Sequence, residues 1–120
     1  MATISKLPLS GSTDGRPVIV AADASAGTTI HTGASTAADY HEIWMWATNY
    51  NTSTETLVLQ WGNTTGSDSM ITTINPNETV LVAPGWIIKG HDSTALIVKA
   101  FTTTANQVNI TGYVNFIDAA

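Results

Sequence analysis

The sequence predicts an all-β fold: a single β-sandwich, jelly-roll-like or Ig-like, of about eight antiparallel strands with an extended N-terminal arm. Three observations predict it. Short runs of β-branched and aromatic residues recur along the chain, separated by clusters of Gly, Pro, Asn, Asp, Ser and Thr. No stretch carries the apolar period of a convincing amphipathic helix. Strict alternation is explicit near the C-terminus, where Val108, Ile110, Gly112, Val114 and Phe116 are set to face inward. Asn109, Thr111, Tyr113 and Asn115 are set to face outward, as the two-residue period of a strand requires.

At 120 residues the chain is one domain, long enough to bury a core without staples. Residues 1–16 are predicted as an extended arm and residues 17–120 as the sandwich. In the arm, Pro8 between Leu7 and Leu9 favours an extended path, and Ser12, Thr13, Asp14 and Gly15 make a turn. Ile4, Leu7 and Leu9 give the arm apolar side chains to lay on a neighbour.

Residues 17–22 are the first predicted strand and residues 28–32 the second. Residues 33–39 form a loop, in which Ala37 and Ala38 allow a helical turn. Residues 41–48 are the most apolar run with large side chains. Ile43, Met45 and Ala47 take one face there; Trp44 and Trp46 take the other. Both faces are apolar, which a half-wet strand does not need. One face fills a core, and the other needs a second cover from this chain or another molecule.

The partner strand is 55–61, with Leu57, Leu59 and Trp61 on one face. Strands 70–74 and 79–83 follow, joined by a turn at Pro76. Pro84 and Gly85 predict a turn or a sheet-switching corner before the strand resumes at Trp86. The last two strands are 94–101, with Leu96, Val98 and Ala100 on one face, and 107–117.

Composition bounds the partners. Charged residues make up only 11 % of the chain and the formal net charge is −5. The basic residues Lys6, Arg16, Lys89 and Lys99 are scattered, which argues against nucleic acid and against an anionic membrane surface. There is no cysteine, so disulfides and thiolate metal sites are excluded. Residues 1–9 lack the basic and apolar regions of a secretory signal, so synthesis in a cytoplasm is expected.

No residues point to chemistry. His41 and Glu42 are adjacent in a strand and face opposite ways, so they cannot share one metal ion. His91, beside Asp92 in a turn, has no second histidine nearby in sequence, so His31, His41 and His91 are expected to be ordinary histidines. The acids, Asp14, Asp39, Glu42 and Asp92 among them, fall mostly in turns or at strand ends, where solvated carboxylates belong. No nucleophile elbow, phosphate cradle or calcium loop is present. The expectation is a non-enzymatic protein with no catalytic residue, cofactor or metal. The candidate interface residues are Ile4, Leu7, Leu9, Trp44, Trp46 and Trp86.

Residues 1–12, residues 42–49, the run Gln60, Trp61, Gly62 and residues 112–116 together resemble small β-sandwich structural proteins of tailed bacteriophages, of the capsid decoration or cement class. The resemblance implies a virion protein on the outer capsid surface that binds the major capsid protein and stabilises the shell. It also implies a homo-oligomer, with a trimer favoured. The alternative is a carbohydrate- or receptor-binding module of a phage tail or fibre, which would expose its tryptophans to sugar rings.

Overall fold

The computed structural model describes residues 2–119; Met1 of the predicted arm and Ala120 of the predicted domain lie outside the described residues. The fold is an all-β sandwich. Its strands are β1 (Thr3–Pro8), β2 (Val18–Ile19), β3 (Thr28–Thr32), β4 (Tyr40–Asn49), β5 (Glu55–Trp61), β6 (Ser69–Ile74), β7 (Glu78–Lys89), β8 (Ile97–Thr102) and β9 (Val108–Asp118). Among the described residues one 3₁₀ turn, Gly66–Asp68, interrupts the strands. No helix among the described residues is long and apolar enough to cross a membrane.

One sheet has the order β1-β9-β4-β7, with β2 also paired to β9. The other has the order β3-β8-β5-β6. Every pairing is antiparallel. Between the sheets lies one core that includes Ile30, Ile43, Met45, Leu57, Leu59, Ile74, Val98, Ile110 and Val114. The strand β4 is central in its sheet, bonded along its whole length to β9 on one side and β7 on the other. Its burial alternates without a fault: His41, Ile43, Met45, Ala47 and Asn49 are buried, and Glu42, Trp44, Trp46 and Thr48 are half-buried.

The described residues of the predicted arm are joined to the sandwich rather than free of it. Thr3–Pro8 pairs with β9 from Thr3↔Asp118 to Pro8↔Tyr113, and Leu9 is 1 % exposed in the core. The apolar side chains given to the arm are therefore split three ways. Leu9 is core, Leu7 packs on the core margin, and Ile4 is 70 % exposed. The free edge of β9 supplies the physical reason: its unpaired main-chain groups accept a strand at no cost in symmetry or second chain.

Pro84 and Gly85 do not turn the chain. They lie inside β7, which runs unbroken through them. The register slips between Ile43 and Trp44 and again between Met45 and Trp46, so β7 carries two bulges against β4. Bulges tolerate a proline that a regular ladder would reject. Gly85, at φ 76°, is required there: a Cβ on it would lie 2.8 Å from Cζ2 of Trp44. The predicted strand 17–22 also shrinks to Val18–Ile19, because the Ala21 and Ala22 N–H groups turn to the hydroxyl of Thr28 at 3.1 and 3.0 Å.

Candidate docking face

The outward face of the β1-β9-β4-β7 sheet collects side chains that sequence distance hides. Register places Ile4, Ile117, Tyr40 and Lys89 in one row. Lys6, Asn115, Glu42 and Ile87 make the next, and Pro8, Tyr113, Trp44 and Pro84 the third. Thr111, Trp46 and Leu81 follow, then Ile19, Asn109, Thr48 and Thr79. The exposed large hydrophobic residues among those described are Ile4, Ile19, Tyr40, Tyr50, Ile71, Leu81 and Ile87. All but Tyr50 and Ile71 stand on this face. Single exposed apolar residues are ordinary, but five gathered on one face of one sheet point to a candidate interaction surface.

At its centre are three aromatic rings. Trp44 and Tyr113 lie 6.4 Å apart between centroids and within 14° of parallel. Trp46 sits 6.5 Å from Trp44 and 6.2 Å from Tyr113. The indole of Trp44 leans across Gly85 of the neighbouring strand, the space a side chain there would take. Its Nε1–H donates to Glu42 Oε1 at 2.7 Å, and the Asn115 amide donates to the same oxygen at 3.0 Å. Those two hydrogen bonds, Trp44 first, hold the Glu42 carboxyl below its ordinary pKa. The Lys6 ammonium lies 4.6 Å from the centre of the Tyr113 ring. Lys89 donates to the carbonyl of Ala37. The face thus presents fixed rings and aliphatic tips, with its few charges already held by the protein.

Of the residues singled out in sequence, Trp44, Trp46 and Ile4 meet on this face. Trp86 does not. It packs edge-on against Trp61 at 5.4 Å, beside the core, while the Trp61 Nε1–H donates to the Ile87 carbonyl at 3.2 Å. Leu9 is not an interface residue, because it is buried. Sequence reasoning missed Leu81, Ile87, Ile19 and Tyr40, which join the face only through cross-strand register. The outward placement of Tyr113 and Asn115 was the available signal, and it needed β9 and β4 to be neighbours.

His91 Nδ1 faces the Ser93 hydroxyl at 3.1 Å and accepts the Thr94 N–H at 3.3 Å, a local turn motif beside a shallow cleft of about 420 Å³. Among the described residues, no group of three or more His, Cys, Asp or Glu is placed to hold a metal ion. The chain matches no protein family and no curated protein.

The fold does unite two histidines. His31 of β3 and His41 of β4 come from different sheets, and His31 Nε2 lies 2.7 Å from His41 Nδ1. Both are buried, at 2 % and 6 % exposure. Burial, helped by the neighbouring His41, lowers the His31 pKa to about 4. Burial also lowers that of His41, against an opposing pull from Asp39. The fold therefore favours neutral His31. Its contribution is complete above the unfolded pKa near 6.5, and it is lost as pH falls from there toward about 4. The loss expected over that window is roughly 3 kcal/mol from His31. Urea midpoints at intervals from about pH 7.5 to about pH 4 check it: wild type should fall steeply where His31→Gln falls less. Parallel curves for the two would contradict the assignment.

Proposed function

We propose that this protein is a non-enzymatic structural protein of a tailed-phage virion, a capsid decoration subunit that binds the major capsid protein and stabilises the shell. The observation that carries the reading is the outward face of the β1-β9-β4-β7 sheet, with Trp44, Trp46 and Tyr113 at its centre and exposed apolar residues around them. Aromatic residues at the middle of a patch with few charges are what protein interfaces concentrate. The acidic balance of the chain suits the outside of a particle rather than packaged DNA. The resemblance of residues 42–49 and 112–116 to the decoration class falls on the same face. With Thr3–Pro8 paired inside the chain, contacts to the shell and to further copies both have this face to draw on.

Leu81 and Ile87 are exposed at 44 % and 48 %, so changing them leaves the core alone. The double variant Leu81→Lys/Ile87→Lys is expected to melt within a few degrees of wild type. It should bind capsid shells at least about a hundredfold more weakly. Ile71→Lys, on the opposite sheet, should bind as wild type does. Co-sedimentation with shells stripped of the protein measures all three. Equal binding by the double variant would remove this face from the interface.

A second reading rests on one observation. The nearly parallel Trp44 and Tyr113 rings, beside a fixed carboxylate and amide, suit stacking on a sugar ring. A glycan array read with the monomeric protein separates the two. Specific glycan capture with no binding to shells would make the protein a carbohydrate-binding module instead.

A further inference from the structure

The strand β1 is the least buried long strand of its sheet, and it carries Ile4, Lys6 and Pro8 of the docking face. Beyond Pro8 the chain crosses to the other sheet, where it is tied at four points. The Ser10 N–H donates to His31 Nδ1 at 3.0 Å. The Thr32 N–H donates to the Ser10 hydroxyl at 2.7 Å, and the Gly11 N–H to the Ile30 carbonyl at 2.9 Å. Leu9 plugs the core beneath them.

We propose that the His31–His41 pair is a proton-operated latch on the docking face. Uptake of one proton by the pair undoes the crossover at Ser10 and loosens β1, so that the docking face loses one of its strands in mild acid. The consequence for docking rests on the function proposed above; the latch itself rests on hydrogen-bond accounting within this chain.

The protons of the neutral pair can be placed in one way only. A main-chain N–H can only donate, so His31 Nδ1 is bare and accepts from Ser10. The single proton of neutral His31 is then on Nε2, where it donates to His41 Nδ1. His41 Nδ1 is therefore bare as well, and the proton of neutral His41 is on Nε2. A proton arriving from solvent finds both accepting nitrogens occupied. On His41 Nδ1 it confronts the His31 Nε2–H. If that proton shifts through His31 instead, Nδ1 becomes protonated and confronts the Ser10 N–H. Either way one hydrogen bond of the chain becomes two donors facing each other, in a site with little water to relieve it.

The groups around the pair sharpen the response. From the segment before β4, Asp39 draws a proton toward His41, and its carboxylate is itself fixed by the Ala119 N–H at 3.1 Å. From β9, Phe116 packs its edge on His41 at 5.2 Å and offers no charge. From the crossover, Ser10 offers only a hydroxyl and its main chain. The element that gives way is β1 because it is the edge strand that continues directly into the crossover at Ser10, and its side chains are mostly exposed, whereas β4 and β9 are held by longer, more deeply buried pairings.

Hydrogen–deuterium exchange tests the latch on the full chain, with rates corrected for the intrinsic effect of pH. Between about pH 7.5 and about pH 5, the peptide covering residues 2–12 should lose at least about tenfold in protection. Peptides from β4 and β5 should change far less, and the loss in β9 should be confined to its paired half, Tyr113 to Asp118. In the His31→Gln/His41→Gln double variant, the residue 2–12 response should be flat, since an amide can accept and donate without titrating. A wild-type peptide with unchanged protection overturns the proposal, as does an equal response in the variant. Should the variant not fold, the ring tautomers decide. Long-range nitrogen–proton spectra of wild type at neutral pH should show both His31 and His41 protonated on Nε2; a His31 proton on Nδ1 overturns the latch. Neither readout uses a shell, so a failed docking assay beside a responsive β1 refutes the proposed function and not the latch.

Discussion

Deletion of residues 1–15 is expected to abolish cooperative unfolding or to lower the melting temperature by at least about 15 °C. The segment supplies the whole of β1, the side chain of Leu9 and the tie at Ser10. A buried leucine cut to alanine costs about 2–5 kcal/mol on its own, and here the entire residue goes. The cut also strips one flank of β9, whose main-chain groups then stand unpaired beside the core. A domain of this size has only about 5–15 kcal/mol in hand. Thermal melting followed by circular dichroism measures the outcome. A truncated chain that melts within a few degrees of full length would mean that residues 1–15 are a dispensable arm after all.

Gly112→Val is expected to cost more than about 4 kcal/mol. Gly112 lies in β9 opposite Met45, at the centre of the sheet. A Cβ there would stand 1.9 Å from the carbonyl oxygen of Trp44 and 3.0 Å from the Cα of Met45. Both are main-chain atoms of the central strand, so no side-chain rotation relieves the clash. The β4–β9 ladder would have to part, and with it the base on which Trp44 and Tyr113 rest. Thr111→Val, one residue away on the outward face, keeps shape and should change stability by less than about 1 kcal/mol. Urea titration of both variants checks the contrast. A Gly112→Val protein with a midpoint near wild type would show that the two strands are not packed this closely.

The strands legible in the sequence are those whose neighbours are also legible. Residues 40–49, 55–61 and 108–118 alternate clearly because one face of each meets the core and the other meets water or a partner. Residues 3–8 show no such alternation, since β1 is an edge with only Leu7 turned into the packing. Its pairing partner, β9, lies at the far end of the chain, and nothing local announces it. Pro84 and Gly85 carry the local signature of a turn, yet they lie at a bulge inside β7, where the Trp44 indole across the strand leaves no room for a side chain on Gly85. The same limit governs the face. Trp44 and Trp46 could be singled out because both sides of one strand were apolar. Leu81, Ile87, Ile19 and Tyr40 joined them through register alone. His31 and His41 could not be paired in sequence, because they belong to different sheets.

The central claim is that the outward face of the β1-β9-β4-β7 sheet is the surface this protein uses to hold its partner. Oxidative footprinting of the protein, free and bound to capsid shells, tests it most directly. Trp44, Trp46, Tyr113 and Leu81 should lose most of their labelling on the shell, while Ile71 and Phe101 of the opposite sheet keep theirs. Unchanged labelling of the aromatic face beside protection of Ile71 and Phe101 would contradict the claim.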